Sequence, residues 1–115
     1  MSNLTQLKCV RVQASDPPLS QNEIARLKPE VADWSLVDRD GMPSLERVFK
    51  FKDFSQALAF TNQVGALAEA EDHHPALLTE WGRVTVSLWT HRIKGLHQND
   101  FIVAAKTDEL YHIFA

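Results

Sequence analysis

Apolar residues in the middle of the chain recur at intervals of three and four, the spacing that places side chains on one face of an α-helix. The positions with this spacing are Phe54, Ala57, Leu58, Thr61, Val64, Gly65 and Ala68, and Phe60 and Leu67 widen the stripe. Asp53 or Ser55 can provide the N-cap. We therefore predict a long helix ending near Ala70, with an apolar face broad enough to cover a sheet and also a partner subunit.

Shorter apolar runs on either side of this helix predict two β-hairpins. Residues 34–38 and 45–51 flank Asp40-Gly41, a dipeptide typical of tight turns, and we expect a loop slightly longer than the minimum. Residues 77–80 and 83–91 form the second pair. Side chains alternate along that last run, with Val84, Val86 and Leu88 on one face. His91 is thus predicted on the opposite face, or at the strand end where the two faces stop being distinct.

Two further helices are predicted at the ends of this region. Ser20 and Glu23 have the spacing of a capping box, and Pro29 is expected to stop the helix that they begin. Asn99 or Asp100 is expected to open the final helix. The resulting order, α-ββ-α-ββ-α, predicts an α+β fold: a two-layer sandwich in which a four-stranded antiparallel sheet carries helices on one face.

The first part of the chain differs from the rest because it lacks a clear period. Residues 1–19 are predicted to be an irregular N-terminal arm that ends near the rigid Asp16-Pro17-Pro18 turn. Residues 20–115 are predicted to form a single domain, because 115 residues are too few for two separate cores.

Composition narrows the classes of function. The formal net charge is −3 and Lys and Arg do not cluster, so nucleic acid is not expected as the main partner. The single cysteine, Cys9, leaves no intramolecular disulfide. We find neither a secretory signal nor a membrane span in the sequence, and therefore expect no membrane association and a cytoplasmic location.

The candidate chemistry lies in three of the five histidines. His73 and His74 are adjacent and precede Pro75, and His91 ends the last predicted strand, with Asp100 nearby. Histidine has an ordinary pKa of about 6.5, so it can both donate and accept protons near neutral pH. If these side chains converge, the pattern favours general acid–base catalysis.

Other interpretations of the same residues exist. Three imidazoles and a carboxylate can hold zinc, but an adjacent His-His pair does not aim both rings at one point as a helical i, i+4 pair does. We therefore expect no metal. Asp100 suits the N-cap or first turn of a helix, a role that does not exclude catalysis. Trp81 is more typical of a core or interface aromatic than of a stacking surface, Glu69 of a solvated acid at a helix end, and Trp89 of an oligomer contact than of a ligand contact.

The spacing of these residues resembles a known family signature. Glu69-x3-His73-His74-Pro75-x5-Trp81-x9-His91-x8-Asp100 is similar to the pattern of the pterin-4a-carbinolamine dehydratase family. The flanking segments Ala70-Glu71-Asp72 and Arg92-Ile93-Lys94-Gly95-Leu96 also look like the family. The resemblance covers about 80 residues, from Trp34 to the C-terminus, and the bacterial members that accompany phenylalanine hydroxylase are the most similar.

The resemblance implies an enzyme that dehydrates 4a-hydroxytetrahydrobiopterin to quinonoid dihydrobiopterin, a lyase that recycles the cofactor of aromatic amino acid hydroxylases. It also implies a homodimer or homotetramer, no metal and no organic cofactor, with such a hydroxylase as a further partner. Some animal members act as dimerisation cofactors of a homeodomain transcription factor. An oligomeric, coactivator-type interaction module without catalysis is therefore the alternative, and the broad helix face would support it.

The residue roles follow from the chemistry that this resemblance implies. Loss of water requires a proton on the departing 4a-hydroxyl group and removal of a proton from N5. His73 and His91 are predicted to transfer these protons, and His74 to bind and orient the pterin, although His73 and His74 can exchange roles. Asp100 is predicted to orient His91, and Glu69 to do the same for His73. Pro75 restricts the turn, and Trp81 offers a flat wall for the heterocycle.

Overall fold

The computed structural model describes residues 4–114. Its main elements are α1 (Gln21–Leu27), β1 (Ser35–Arg39), β2 (Met42–Lys50), α2 (Phe54–Glu71), β3 (Ala76–Glu80), β4 (Arg83–Leu88) and α3 (Gln98–Phe114). Short 3₁₀ turns occupy Leu4–Gln6, Lys28–Val31 and His91–Ile93. The predicted α+β class and element order are confirmed.

The four strands form one antiparallel sheet in the order β1-β2-β4-β3. Val84, Val86 and Leu88 of the central strand β4 are fully buried, as their alternation predicted. Helices α2 and α3 pack on that face and on each other. The other face is open, and Val48 and Leu78 are 44% and 58% exposed there.

The loop between β1 and β2 is shorter than predicted. Asp40 and Gly41 alone connect the strands, with φ values of +52° and +87°. Two residues at positive φ close a turn whose twist matches that of the flanking strands, so no further loop residue is needed. The expectation of a longer loop was therefore wrong.

Helix α2 begins at the predicted cap, where the Asp53 side chain accepts a hydrogen bond from the Gln56 N–H group. Its buried residues are Ala57, Phe60, Val64 and Ala68. Phe54 and Leu58, which belong to the same predicted stripe, are each 44% exposed. The inner half of the stripe thus covers the sheet, and its outer edge is exposed in the single chain.

The end of α2 determines where the adjacent histidines lie. Asp72 has a left-handed backbone conformation, with φ +52°, which Asp adopts more readily than most residues. The His73 N–H group then donates to the Ala68 carbonyl, 3.1 Å away, and closes a helix C-cap. The chain therefore turns back beneath the helix, and the His73 side chain is carried into the interior.

Helix α3 begins at Gln98, one residue earlier than the first of the two predicted positions. His97 caps it, because the Nδ1 atom of its ring accepts from the Asn99 N–H group at 3.0 Å. Asp100 completes the cap by accepting from the His97 N–H group at 2.9 Å. The predicted capping box of Ser20 and Glu23 at α1 is also present.

The N-terminal arm contacts the remainder of the chain. Leu4 is 3% exposed and belongs to the hydrophobic core, where its 3₁₀ turn packs against α3. Residues 1–3 of the predicted arm, and residue 115 of the predicted domain, lie outside the described part. The division of the chain into an arm and a domain stays a prediction.

Candidate active site

The predicted histidines lie at the base of the β3–β4 hairpin. An open cavity of about 820 Å³ is lined there by residues 9–12, 70–74, 89–92 and Asn99. His73 and His74 enter it from the turn after α2, and His91 enters it from the end of β4. Residues that are far apart in sequence therefore share one cavity, of a volume typical of small-molecule sites.

His73 is the most firmly positioned of the three histidines. Its side chain is 10% exposed, and its Nε2 atom lies 2.6 Å from Oδ1 of Asp100. A carboxylate accepts hydrogen bonds, so the Nε2 atom donates and the proton of the neutral ring is held there. The Nδ1 atom is left as the basic nitrogen of His73.

Asp100 is fully buried at the start of α3 and has three donors. Besides His73, the Thr90 hydroxyl donates to its Oδ2 atom at 2.8 Å and the His97 N–H group donates at 2.9 Å. Such a saturated carboxylate cannot rotate without breaking hydrogen bonds, and it therefore holds the His73 ring in one orientation. Asp100 acts both as a helix-capping residue and as a partner of a candidate catalytic histidine.

The predicted partner of Asp100 was wrong. Asp100 contacts His73, whereas His91 is exposed and lies in the His91–Ile93 turn. The reason is that β4 ends at Leu88 and Thr90 takes the position beside Asp100. His91 follows one residue later and remains at the open side of the cavity.

The predicted partner of Glu69 was also wrong. Its Oε1 atom lies 3.5 Å from Nε2 of His74, and both side chains are more than half exposed. His73 turns inward at the helix end, so its neighbour His74 projects outward toward the last turn of α2, where Glu69 lies. Such an exposed pair contributes little to stability.

Trp81 does not form the predicted wall of this cavity. It lies in the turn between β3 and β4 and is 73% exposed. The five residues of β3 separate that turn from the histidines by about 16 Å, at roughly 3.3 Å per residue. Pro75, the residue before β3, is not among the lining residues either. The tryptophan among the lining residues is Trp89, and the Arg39 guanidinium group covers one face of its ring at 4.2 Å.

The cavity is also lined by Thr90, Asn99 and Glu71, which the sequence did not indicate as site residues. Thr90 precedes His91 within the motif, and its position gave the only available signal. Asn99 is 2% exposed and Glu71 hydrogen-bonds to the arm, contacts for which local sequence carries no signal. Nearby, burial and Glu71 raise the pKa of the Cys9 thiol to about 12, so this thiol is held protonated.

Two further features concern the part of the chain that is described. Within residues 4–114, no group of three or more His, Cys, Asp or Glu side chains is arranged to hold a metal ion. None of the helices in this range has the length and apolar character needed to cross a membrane.

The site thus consists of a buried histidine–aspartate pair and two further histidines in one cavity of an α+β sandwich. The family model for pterin 4 alpha carbinolamine dehydratase matches residues 17–110. This match covers most of the chain, and the protein belongs to the pterin-4a-carbinolamine dehydratase family.

Relatives and solved structures agree with this assignment. A Microcystis aeruginosa (strain NIES-843 / IAM M-2473) protein named "Putative pterin-4-alpha-carbinolamine dehydratase" is 53% identical over 111 residues, which is 96% of each chain. The crystal structure of a transcriptional coactivator/pterin dehydratase from Brucella Melitensis is 34% identical, with a TM-score of 0.73, and the match covers 82% of this chain and 98% of that one.

A second solved structure is a pterin dehydratase-like protein identified as a RuBisCO assembly factor in the alpha-carboxysome. It is 24% identical with a TM-score of 0.58, and the match covers 69% of this chain and 89% of that one. At this identity the similarity concerns the fold alone.

Proposed function

We propose that this protein dehydrates 4a-hydroxytetrahydropterin to the quinonoid dihydropterin and so regenerates a pterin that a hydroxylase has oxidised. The observation that carries the proposal is the buried His73–Asp100 pair in one cavity with His74 and His91. Family membership supports the substrate class. The cytoplasmic location and a contact with an aromatic amino acid hydroxylase stay predictions.

The reaction needs one proton donor and one proton acceptor. The C4a–O bond breaks as the departing hydroxyl group takes up a proton and leaves as water. The proton on N5 passes to a base, and its electron pair forms the C4a=N5 double bond. After one turnover the acid has lost a proton and the base has gained one, so a proton must pass from one histidine to the other, directly or through water, before the next turnover. Each of the two groups typically accelerates the reaction by about 10²–10⁴-fold.

We assign these proton transfers to His73 and His91. Asp100 keeps the His73 proton on Nε2 and stabilises the charged ring, so the Nδ1 atom is the one available to the substrate. His91 also lines the cavity and is exposed, so it can exchange protons with the leaving group and with water. Which of the two is the acid stays open.

His74 is proposed to bind and orient the pterin. Its ring is 55% exposed and its partner Glu69 is 3.5 Å away, so the ring is free to adjust to a ligand. In place of Trp81 we propose Trp89 as the flat wall, through the ring face that Arg39 does not cover, because Trp89 is among the lining residues and Trp81 is not. Planar heterocycles stack well on an indole.

The test is to supply 4a-hydroxytetrahydropterin and follow the absorbance of the quinonoid product. We expect a clear acceleration by the wild-type protein and a rate at least about tenfold lower for His91→Ala. His112→Ala is a matched control, because His112 is exposed near the end of α3 and away from the cavity. A wild-type protein that does not accelerate the reaction would contradict the proposed activity.

The oligomeric state is proposed to be a homodimer or homotetramer. Phe54 and Leu58 on the outer edge of α2, and Leu78 on the edge strand β3, are large apolar side chains exposed in the single chain. Self-association would remove them from water. Size-exclusion chromatography with light scattering tests this proposal, and a monomer at micromolar concentration would contradict it.

A non-catalytic interaction module is the second candidate function. The same exposed edge of α2 favours it, and the Brucella Melitensis protein is described as a coactivator as well as a dehydratase. The two candidates respond differently to His91→Ala, because this change removes a proposed catalytic group and leaves α2 intact. Loss of turnover with unchanged association would assign catalysis to the cavity.

A further inference from the structure

The N-terminal arm supplies part of the cavity and lies mostly outside the family match. Residues 9–12 line the cavity, whereas the family model begins at residue 17. The arm therefore adds a wall to the site that the matched family domain does not include. Residues 9–12 can contribute to ligand binding only if contacts with the rest of the chain fix their position.

Asn99 holds the arm by its backbone. The side-chain Oδ1 atom accepts from the Val10 N–H group at 3.0 Å, and the Nδ2 atom donates to the Val10 carbonyl at 2.7 Å. Asn99 is 2% exposed, so both hydrogen bonds are shielded from water and costly to lose. It is also the residue before Asp100, so one helix start positions both the arm and the His73 ring.

Glu71 provides a second anchor at the neighbouring residue. Its Oε1 atom accepts from the Cys9 N–H group at 2.8 Å, and its Oε2 atom accepts from Nζ of Lys106 at 2.7 Å. The Glu71 side chain is 7% exposed and that of Lys106 is 16% exposed. A buried, charge-assisted pair thus holds the arm against α2 and α3.

The far end of the arm is held as well. The Leu19 N–H group donates to the Leu96 carbonyl at 2.8 Å, and Pro18 packs so closely on Gly95 that an added Cβ there would lie 2.9 Å from the Pro18 Cβ. With Leu4 in the core, the arm is fixed on both sides of residues 9–12.

These anchors leave the side chains of Val10 and Arg11 free, whereas the Cys9 thiol also contacts the Asn99 carbonyl oxygen at 3.7 Å. The hydrogen bonds at Cys9 and Val10 use backbone atoms, while the Val10 side chain is 63% exposed and Arg11 is exposed beside the histidines. A rigid backbone with free side chains at a cavity edge is suited to contacting a ligand.

We propose that residues 9–12 form a substrate-binding wall of the pterin site, with Arg11 and Val12 contacting the substrate away from its reacting atoms. Asn99 and Glu71 are positioning residues that hold this wall. The inference rests on the proposed function and adds a specificity element to it. Contacts away from the reacting atoms act on binding, so their loss raises KM and leaves kcat largely unchanged.

The first test is Asn99→Ala, with Asn62→Ala on the exposed surface of α2 as the matched control. We expect KM for 4a-hydroxytetrahydropterin to rise about fivefold or more, with kcat within about twofold of wild type. Cys9 reports separately on the arm, because a released thiol regains an ordinary pKa. Its reaction with a thiol reagent at about pH 8 should accelerate at least tenfold.

Two outcomes would overturn the inference. An accelerated Cys9 reaction with unchanged KM would mean that the arm detaches without affecting the substrate. An unchanged Cys9 reaction with unchanged KM would mean that Asn99 does not hold the arm.

The double variant Arg11→Ala/Val12→Ala keeps every anchoring hydrogen bond, and it decides the question if Asn99→Ala fails to fold. We expect KM to rise about threefold or more, and weaker binding of 7,8-dihydrobiopterin by fluorescence titration. An unchanged KM together with unchanged binding of 7,8-dihydrobiopterin would overturn the inference.

The dihydrobiopterin titration separates this inference from the proposed function. A wild-type protein without turnover would contradict the dehydratase activity, and weaker pterin binding by the double variant would still support the wall. A wild-type protein with turnover, and a double variant indistinguishable from it, would contradict the wall alone.

Discussion

The first turn and the C-terminal half of α3 each carry an aspartate that accepts several hydrogen bonds, but the surroundings of the two aspartates differ. Asp100 in the first turn is fully buried and pairs with His73, a side chain that can gain and lose a proton. Asp108 near the other end pairs with the permanent cation Arg47 at 2.7 Å and with the Trp34 indole at 2.8 Å. The helix therefore joins a proton-exchanging cluster to a fixed ionic one.

From this difference we propose separate roles for the two clusters: catalysis for the Asp100 cluster and stability for the Asp108 cluster. The Arg47 guanidinium group also lies over the ring of Phe49 at 4.4 Å, so the Asp108 cluster ties α3 to β2 and the aromatic core. The Asp100 cluster has no permanent cation among its hydrogen-bond partners, Thr90, His97 and His73. Only the Asp100 cluster has a partner that can take part in proton transfer near neutral pH.

Asp100→Asn should have the largest effect. An amide cannot accept from all three donors as a carboxylate does, and it does not stabilise a charged His73 ring. We expect kcat for pterin dehydration to fall by about 10²-fold or more. Asp108→Asn is the matched control, with kcat expected within about threefold of wild type. Equal losses of activity in the two variants would contradict the division between the ends of α3.

Asp108→Asn should instead lower stability. It leaves Arg47 without its close carboxylate partner, since Asp33 lies 3.8 Å away and is largely exposed. We expect the free energy of unfolding from urea denaturation to fall by about 1–3 kcal/mol. A matched change at an exposed acid, Asp38→Asn on the edge strand β1, should have little effect. A variant as stable as wild type would show that the Asp108 cluster is not a structural anchor.

Thr90→Val, a change within the Asp100 cluster, should lower kcat less than Asp100→Asn does. The change keeps the shape of the side chain but removes one of the three donors to Asp100. A single lost hydrogen bond of about 1 kcal/mol corresponds to a rate about fivefold lower. We expect kcat to fall by that amount, with His73 still paired. No change in kcat would indicate that two donors suffice to orient the carboxylate.

The smallest expected effect concerns the pH dependence of stability. Hydrogen bonds from the Cys9 N–H group and from Lys106 hold the pKa of Glu71 below its ordinary value of 4.5. The folded protein therefore binds this proton less tightly than the unfolded chain. The stability that Glu71 contributes is present above pH 4.5 and is lost as the pH falls through the lowered pKa.

Asp108 acts in the opposite direction. Burial raises its pKa above the ordinary value of 3.8, even though Trp34 and Arg47 favour the charged form. Between 3.8 and the raised pKa the folded protein holds a proton that the unfolded chain releases, so stability rises as the pH falls across that window.

Urea denaturation at a series of pH values from about 6 to 3 tests both predicted effects, the destabilising effect of Glu71 and the stabilising effect of Asp108 on acidification. We expect the loss of stability on acidification to be shallower than wild type in Glu71→Gln and steeper in Asp108→Asn. If the free energy of unfolding depended on pH identically in the two variants, Glu71 and Asp108 would not have the opposite effects that we predict.

The sequence by itself determined the features that depend on neighbouring residues. Alternation along residues 83–88 and the three-and-four spacing in α2 predicted the buried faces, because the periods of strands and helices are local. The capping box at Ser20 was predictable for the same reason. The motif also singled out three histidines that line one cavity, because they lie at the ends of two adjacent elements. Their catalytic roles stay a proposal.

Only the tertiary structure decided which of these side chains meet. In the motif Asp100 is nine residues from His91 and 27 residues from His73, yet the left-handed Asp72 and the position of Thr90 select His73. The direction of a side chain beyond its own element depends on the packing of α2, β4 and α3 together, and no local pattern encodes that packing. For the same reason Trp89 lines the cavity, Trp81 does not, and the arm reaches Asn99.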